Sequence, residues 1–408
     1  MRHWCRVTVL LLAITFKGSG CVEVSDSTQS NIRTKKTTPR LSSTIMKEPS
    51  PLSVSNNDEI DIVFCDVDGT LVHYPRKLSR KFEDDYDENI IQLPPSATGM
   101  QGIISFETLR LCQELRHRKG KKLVLVSGMR TTTLWKRIPY LPRADAYCSE
   151  GGGRIFYPIK VDQADVSSNN KIKGSIFSLL FGGVEDGEPF RLEEDLEWRT
   201  RMEATAGSES FIGNELYLNQ NIDEKTEKAS PLDQRKGILW DHCRSLIQEG
   251  YVVDTEGYSA CFRVNRKHQL PANKIERFDK LLTNIAPKGL ATSVNLGCVD
   301  FYPDQSGKRN CCEYLIQKLC HRSSRALDRN AVCLCDDDND LEMALACKHV
   351  FVPNISSESM ARVLREQKEK ITVTAALVLD EYSNGLDDAI QMTRATERAL
   401  SLLLSEWC

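Results

Sequence analysis

From residue 58 onward, short and almost continuous apolar runs recur along the chain, each ending abruptly in a polar cluster. Ile60 to Cys65 stops at Asp66-Val67-Asp68-Gly69-Thr70-Leu71, and Lys122 to Val126 stops at Ser127-Gly128-Met129-Arg130. Ala144 to Cys148 runs into Ser149-Glu150-Gly151-Gly152-Gly153, and Ala331 to Cys335 into Asp336-Asp337-Asp338-Asn339-Asp340. Runs this short, with no polar alternate, read as strands buried on both faces of a parallel sheet. Between the first two lies Phe106 to Lys119, whose Leu109, Leu111, Cys112 and Leu115 supply one apolar face of a helix; His349 to Val352 follows a further short helix. Strands alternating with helices predict βαβ units and an α/β fold with a doubly wound sheet. In such sheets functional groups collect beyond the carboxyl ends of the strands, where every one of these clusters falls.

The pattern changes between about Tyr157 and Val299. Pro231 to Glu249 reads as a helix, Tyr251 to Thr255 and Cys261 to Asn265 as strands, Asn273 to Ile285 as a second helix and Ala291 to Leu296 as a third strand. Two helices over one antiparallel sheet would make an α+β insertion with an edge over the acids. Glu197-Trp198-Arg199-Thr200-Arg201 reads first as ordinary charge pairing on a helix surface, with an aromatic platform and two guanidinium groups for a sugar or second phosphate as the alternative. Asp162 to Lys173 reads as a loop. The expected organisation is a leader and linker over 1–57, a core over 58–157 and 300–408, and an inserted domain over 158–299.

The first 57 residues carry no fold pattern. Met1 to Arg6 is a short basic region, Val7 to Phe16 is apolar, and Gly18-Ser19-Gly20-Cys21 is built of small residues. That is a signal-peptide pattern, and its apolar run is too short for a membrane span, so none is expected in the mature protein. The Ser- and Thr-rich segment from Ser25 to Ser55 carries Arg33, Lys35, Lys36, Arg40 and Lys47 with few acids. Together the two segments resemble the two-part leaders of plastids of secondary origin, a destination favoured here over secretion or a lumenal fate. The 408 residues hold 54 Lys and Arg against 57 Asp and Glu, a net charge of −3, so no overall footprint for nucleic acid is present. The 15 cysteines are an odd number without zinc-type spacing, and Cys65, Cys333 and Cys335 lie in strand-like runs. Mostly reduced, buried thiols are expected, and they favour a reducing compartment.

The chemistry at the strand ends follows from the residue types. Asp66 and Asp68, one residue apart after a buried strand, place one carboxylate toward a cation and send the other to the opposite side of a pocket. A second acidic cluster adds the oxygen ligands that Mg²⁺ takes. With the charge neutralised, an aspartate can attack phosphorus, while the Ser127 hydroxyl and the Lys308 ammonium fit as phosphate ligands. Taken singly, a D-x-D, an acidic run, a Ser-Gly turn or a lone lysine is ordinary; their conjunction in order, each acid or hydroxyl cluster after a strand, is not.

Asp66-Val67-Asp68-Gly69-Thr70-Leu71, Ser127-Gly128, Lys308 and Asp336 to Asp340 resemble the four motifs of the haloacid dehalogenase superfamily. The position of the insertion resembles the C2 cap of its Cof-type and sucrose-phosphate phosphatase-like subgroup, with Gly151 where that subgroup has Asn. The resemblance implies a Rossmann-like core with an α+β cap, Asp66 as nucleophile and Asp68 as general acid and base. It also implies Mg²⁺ held by Asp66, the backbone carbonyl of Asp68, Asp336 and, through water, Asp340. Ser127, Gly128 and Lys308 are implied as phosphate-binding, with Thr70, Arg130 and Asn339 behind them or at the substrate entrance. Arg130 serves equally as a structural ion pair, and Asp337 as an outer-sphere group or an exposed acid. The implied activity is a phosphoric monoester hydrolase acting on a phosphorylated sugar or similar small metabolite. A phosphomutase of the phosphomannomutase type and a non-catalytic sugar-phosphate sensor are the alternatives.

Overall fold

A computed structural model describes residues 59–75, 89–96, 99–160, 190–211, 215–217, 230–269, 278–281, 286–295, 297–355, 357–375 and 386–408. The leader and linker over 1–57, the loop expected over Asp162 to Lys173, and most of the helix expected over Asn273 to Ile285 lie outside the described residues.

Strand β1 (Ile62–Cys65) is followed by the antiparallel pair β2 (Ile90–Gln92) and β3 (Ile103–Ser105), then by β4 (Lys122–Val126) and β5 (Ala146–Ser149). The insertion contributes β6 (Arg154–Lys160), β7 (Phe190–Glu194), β8 (Glu215–Tyr217), β9 (Val253–Asp254), β10 (Phe262–Asn265), β11 (Leu290–Asn295) and β12 (Cys298–Pro303). The chain then adds β13 (Ala331–Leu334), β14 (His349–Val352) and β15 (Ile371–Val373). The main sheet has the order β15-β14-β13-β1-β4-β5-β6-β7-β8, parallel from β15 to β5 and antiparallel beyond. Strand order reverses at β1, which makes its carboxyl end the switch point of a doubly wound α/β sheet.

The central strands owe their position to their sequence. All four residues of β1 are buried, Ile62 and Phe64 in the core on one face and Val63 and Cys65 in the core on the other. Helix α1 (Phe106–His117) presents Leu109, Cys112 and Leu115 to that second face, and its N-cap Ser105 accepts the Thr108 amide hydrogen at 3.0 Å. Such a cap contributes about 1 kcal/mol. Helix α2 (Thr131–Arg137) follows β4 on the same face.

The insertion differs from its expected form in two respects. Strands β6, β7 and β8 extend the core sheet itself, with Phe190, Leu192 and Glu194 of β7 buried and the residues between them half-buried. The alternation of β7 is only five residues long and its third inward position is Glu194, so it carries little strand signal in sequence. The second sheet, β11-β12-β10-β9, includes β12, so the expected boundary at 299/300 falls within a strand of the insertion's own sheet. Helices α3 (Leu196–Ala206) and α4 (Ile238–Gln248) contribute Trp198, Met202, Leu239 and Trp240 to a core that also takes in Phe262, Phe301 and Leu315. One apolar cluster thus runs from the insertion into the face of the main sheet covered by α5 (Lys308–Cys320).

Helices α6 (Leu341–Ala346), α7 (Glu358–Glu366) and α8 (Leu386–Glu406) complete the described fold, with α8 packed against α1. Among the described residues no helix is long and apolar enough to cross a membrane. The cysteines of the described residues are free thiols, all but Cys320 and Cys408 buried.

Two buried histidines make stability depend on pH. Thr396 of α8 donates its hydroxyl hydrogen to the Thr70 carbonyl at 2.5 Å and lies 2.9 Å from His73 Nε2, while His349 lies 2.8 Å from the Thr372 hydroxyl and stacks on Trp407. Burial pushes the His73 imidazole down to about 3 and the His349 imidazole down to about 4. Both are neutral in the folded chain and gain a proton on unfolding once pH drops below about 6.5. Their contribution is complete above that value and is lost as pH falls toward 4, at about 1.4 kcal/mol per pH unit for each. Urea unfolding of wild type and His349→Gln at pH 7, 6 and 5 is expected to show a shallower decline in the variant. Parallel declines would refute the assignment.

Candidate active site

The four clusters follow the carboxyl ends of the neighbouring parallel strands β13, β1, β4 and β5. Asp66 follows β1 directly and its amide donates to the Leu334 carbonyl at the end of β13 at 2.9 Å, which joins the first and last acidic loops. The next turn runs through Gly69 at a φ of 88°, and a Cβ there would come within 2.1 Å of Asp336 Oδ2. Glycine is required because the loop passes against that carboxylate with positive φ. Thr70 donates its hydroxyl hydrogen to Asp336 Oδ1 at 2.9 Å and so orients the acid from behind.

Asp66, Asp336 and Asp340 are buried, and one carboxylate oxygen from each lies within 4.8 Å of the others. Lys308, the first residue of α5, enters this group: its Nζ donates to Asp66 Oδ1 at 2.6 Å and Asp340 Oδ1 at 2.5 Å, with Asn339 Oδ1 at 3.4 Å. Asp340 also accepts the Asp337 amide hydrogen through Oδ2, closing a reciprocal cap on the turn 338–340. Burial raises the carboxyls of Asp66 and Asp336 well above the usual carboxylate range, with the neighbouring acids adding to the shift and Lys308 opposing it at Asp66. Asp340 is raised by burial and relieved by Lys308. Burial works against the Lys308 charge, yet Asp340 and Asp66 hold its ammonium well above the ordinary lysine value.

Three carboxylates facing one ammonium form a set short of positive charge. A hard divalent cation with oxygen ligands fits that set, and Mg²⁺ is the ordinary choice where carboxylates and a substrate phosphate share the coordination. Asp68 stands apart from the group. Its Oδ1 accepts from the Tyr74 hydroxyl and from Arg137 Nη1 at 2.9 Å, so the two aspartates of the first motif face different surroundings.

Ser127 is buried after β4, and its Oγ accepts the Met129 amide hydrogen at 3.0 Å while its hydroxyl hydrogen remains to be donated. Gly128 lies between them in this turn. The loop at 150–153 is stitched to it, Glu150 N–H to the Met129 carbonyl at 2.8 Å and Gly151 N–H to the Ser127 carbonyl at 3.0 Å. Gly151 has φ 67° with open space around a prospective Cβ, a conformation that Asn also tolerates, so Gly in place of Asn leaves this backbone unchanged.

Arg130 pairs with Asp254 on β9, with its guanidinium carbon 5.1 Å from the centre of the Tyr258 ring. Glu150, which no motif marks as a contact residue, fastens the same part of the insertion to the core. Its carboxylate accepts from the Thr131 hydroxyl at 2.6 Å and from the Ser259 and Ala260 amides at 2.9 and 2.7 Å. Burial raises the Glu150 carboxyl, with Arg154 opposing. The insertion is therefore seated on the core through the turn 254–260, and its edge strand β11 lies against the acidic turn 338–340.

On α3 the side chains of the 197–201 stretch are engaged in packing and charge pairing. Trp198 is 2% exposed, and its indole donates to the Gly152 carbonyl at 2.9 Å. Arg199 pairs with Glu194 and Glu203, and Arg201 with Glu197, four residues before it. A tryptophan flanked by arginines on a helix looks the same in sequence whether its ring faces core or solvent.

The residues that sequence reasoning missed are Tyr74 and Arg137. Arg137 ends α2 and reads as an ordinary basic residue of a last helical turn; only the tertiary fold brings it to Asp68, 69 residues away.

No protein-family model matches this chain, and no curated protein matches it. Solved structures do. The sucrose-phosphatase from Synechocystis sp. PCC6803, solved with sucrose and phosphate, is 12% identical, with 83% of this chain and 98% of that one aligned and a TM-score of 0.41. The haloacid dehalogenase-like hydrolase yhjK from Bacillus subtilis is 13% identical over 85% and 93% of the two chains, with a TM-score of 0.38. The trehalose-6-phosphate phosphatase from Aspergillus fumigatus is 12% identical over 84% and 93%, with a TM-score of 0.35. At these identities and scores none of the likenesses says what this chain acts on.

Proposed function

We propose that this chain is a Mg²⁺-dependent phosphoric monoester hydrolase that releases phosphate from a phosphorylated sugar or similar small metabolite through an aspartyl-phosphate on Asp66. The observation that carries this reading is the meeting of Asp66, Asp336, Asp340 and Lys308 at one strand-end pocket, with Asp68 held separately beside it. The uncatalysed reaction is so slow that enzymes accelerate it by up to about 10²¹-fold. No single acid–base group, worth about 10²–10⁴, supplies that, so nucleophile, cation site, proton donor and phosphate ligands must act together.

Asp66, Asp336 and Asp340, with the Asp68 carbonyl, would hold the cation. When bound, Mg²⁺ supplies the positive charge that lets an anionic nucleophile approach an anionic phosphoryl group. The Asp66 carboxylate attacks phosphorus as the ester oxygen departs, and Asp68 gives that oxygen its proton. Asp68 then takes a proton from the water that cleaves the aspartyl-phosphate. Lys308 and the Ser127 hydroxyl hold phosphoryl oxygens, and the insertion excludes bulk water from above. Which ester is bound is decided by the insertion, since fold alone specifies no substrate.

The full chain, assayed against a panel of phosphorylated sugars and small phosphate esters, is expected to release inorganic phosphate from some of them, to stop with a chelator and to recover with Mg²⁺. A hexose 1-phosphate in the panel separates hydrolysis from phosphoryl return: isomerised sugar phosphate without free phosphate would replace this reading by the mutase. Phosphate release from no ester would refute it.

A further inference from the structure

Arg137 is buried with no side-chain exposure, yet the carboxylate it faces keeps 24% of its own. Its Nη1 donates to Asp68 Oδ1 at 2.9 Å and to the Tyr74 hydroxyl oxygen at 2.5 Å, its Nε to the Pro94 carbonyl at 3.3 Å, and its guanidinium lies 5.5 Å from the centre of the Tyr74 ring. Nη2 is buried without a hydrogen-bond partner. The Tyr74 hydroxyl donates to the same Asp68 Oδ1.

A guanidinium often engages both oxygens of a carboxylate, because the fork geometry rewards two parallel bonds. Among the described residues Arg154 holds Glu194 this way at 2.6 and 2.9 Å, Arg263 holds Asp300 at 2.5 and 2.6 Å, and Arg110 holds Glu107 at 2.7 Å through both oxygens. Arg137 takes one oxygen, as Arg130 does with Asp254, but here a second donor shares that oxygen. It and Tyr74 both converge on Oδ1, neither takes Oδ2, and one guanidinium nitrogen goes unpaired although burying it is costly. Holding one oxygen from two sides fixes the rotation of the carboxylate and reserves the other oxygen for a different task.

We propose that Arg137 and Tyr74 are positioning residues for proton transfer, clamping Asp68 Oδ1 so that Oδ2 meets the leaving oxygen and later the attacking water. The assignment rests on the phosphatase reading above. In the first half-reaction a bond forms between Asp66 and phosphorus, the ester P–O bond breaks, and the Oδ2 proton passes to the departing alkoxide, giving the free alcohol. In the second, the Asp68 carboxylate takes a proton from water, the water oxygen bonds to phosphorus, and the Asp66–phosphorus bond breaks to release phosphate.

A leaving group that needs no proton separates positioning from general support of the fold. Arg137→Met is expected to slow single-turnover hydrolysis of an alkyl ester, glucose 6-phosphate or whichever sugar phosphate wild type prefers, about 30–100-fold, within the range of a general acid. Release of nitrophenolate from p-nitrophenyl phosphate in the first turnover is expected to slow no more than about threefold. Tyr74→Phe should show the same selectivity with a smaller loss, and it carries the test if Arg137→Met fails to fold. In the background of Asp68→Asn, Arg137→Met should add little further loss, because groups acting through one another are not additive. Equal slowing of both esters, or multiplicative losses with Asp68→Asn, would overturn the positioning role while leaving the phosphatase intact. Wild type inert toward every ester would overturn the phosphatase reading and this assignment with it.

Discussion

Asp66→Asn is expected to lose turnover by on the order of 10⁴-fold or more while keeping the fold. Asparagine has nearly the volume of aspartate, so the packing at the end of β1 survives. What disappears is the nucleophilic oxygen and one of three crowded, buried acids. Because Asp66 sits among Asp336 and Asp340 with a single ammonium between them, removing its charge relieves repulsion, and the melting temperature should hold or rise. Phosphate release and thermal unfolding, measured side by side on wild type and variant, check both halves. Hydrolysis near the wild-type rate would remove Asp66 from the mechanism, and loss of the folded state would show that the pocket needs its charge.

Lys308→Met is expected to do the opposite to stability. It leaves Asp66 and Asp340 buried without the ammonium that now touches both. Breaking a buried ion pair from one side costs about 3–5 kcal/mol, because the remaining charge is stranded away from water. For a chain of this size that corresponds to a fall in melting temperature of roughly 5 °C. Added Mg²⁺ should return part of that loss by supplying charge to the same carboxylates, through linkage between binding and folding. It should not return activity, since the phosphoryl group would still lack its lysine. A variant melting with wild type in the absence of divalent cation would show that the lysine bridge contributes nothing net.

These two residues also show how unevenly the site can be read from the chain. Asp66 announces itself, because an apolar run ending in Asp-Val-Asp-Gly-Thr places a carboxylate at a strand end by local pattern alone. Lys308 does not, since a lysine after Ser306 and Gly307 is ordinary until α5 is seen to begin beneath the acidic loop of β13, 242 residues from Asp66. Arg130 and Trp198 show where local pattern leaves two readings open, and the structure shows their partners: Arg130 pairs with Asp254 and Trp198 donates to the Gly152 carbonyl, contacts that tie the insertion to the core.

The amino-acid sequence by itself determined the parallel core strands, their helices, and the carboxylates at their ends. All of these depend on neighbours a few residues away, through apolar periodicity and the abrupt change from buried strand to polar loop. Only the tertiary structure decided that β6 to β8 prolong the core sheet, that β12 belongs to the insertion's own sheet, and that one apolar cluster joins the two. It also decided the partners of the two aspartates: Lys308 for Asp66, and Tyr74 with Arg137 for Asp68. The physical reason is that burial and charge pairing are set by what packs across the switch point. Groups 69 and 242 residues from their carboxylates are brought there by strand order and not by any pattern in the residues beside them.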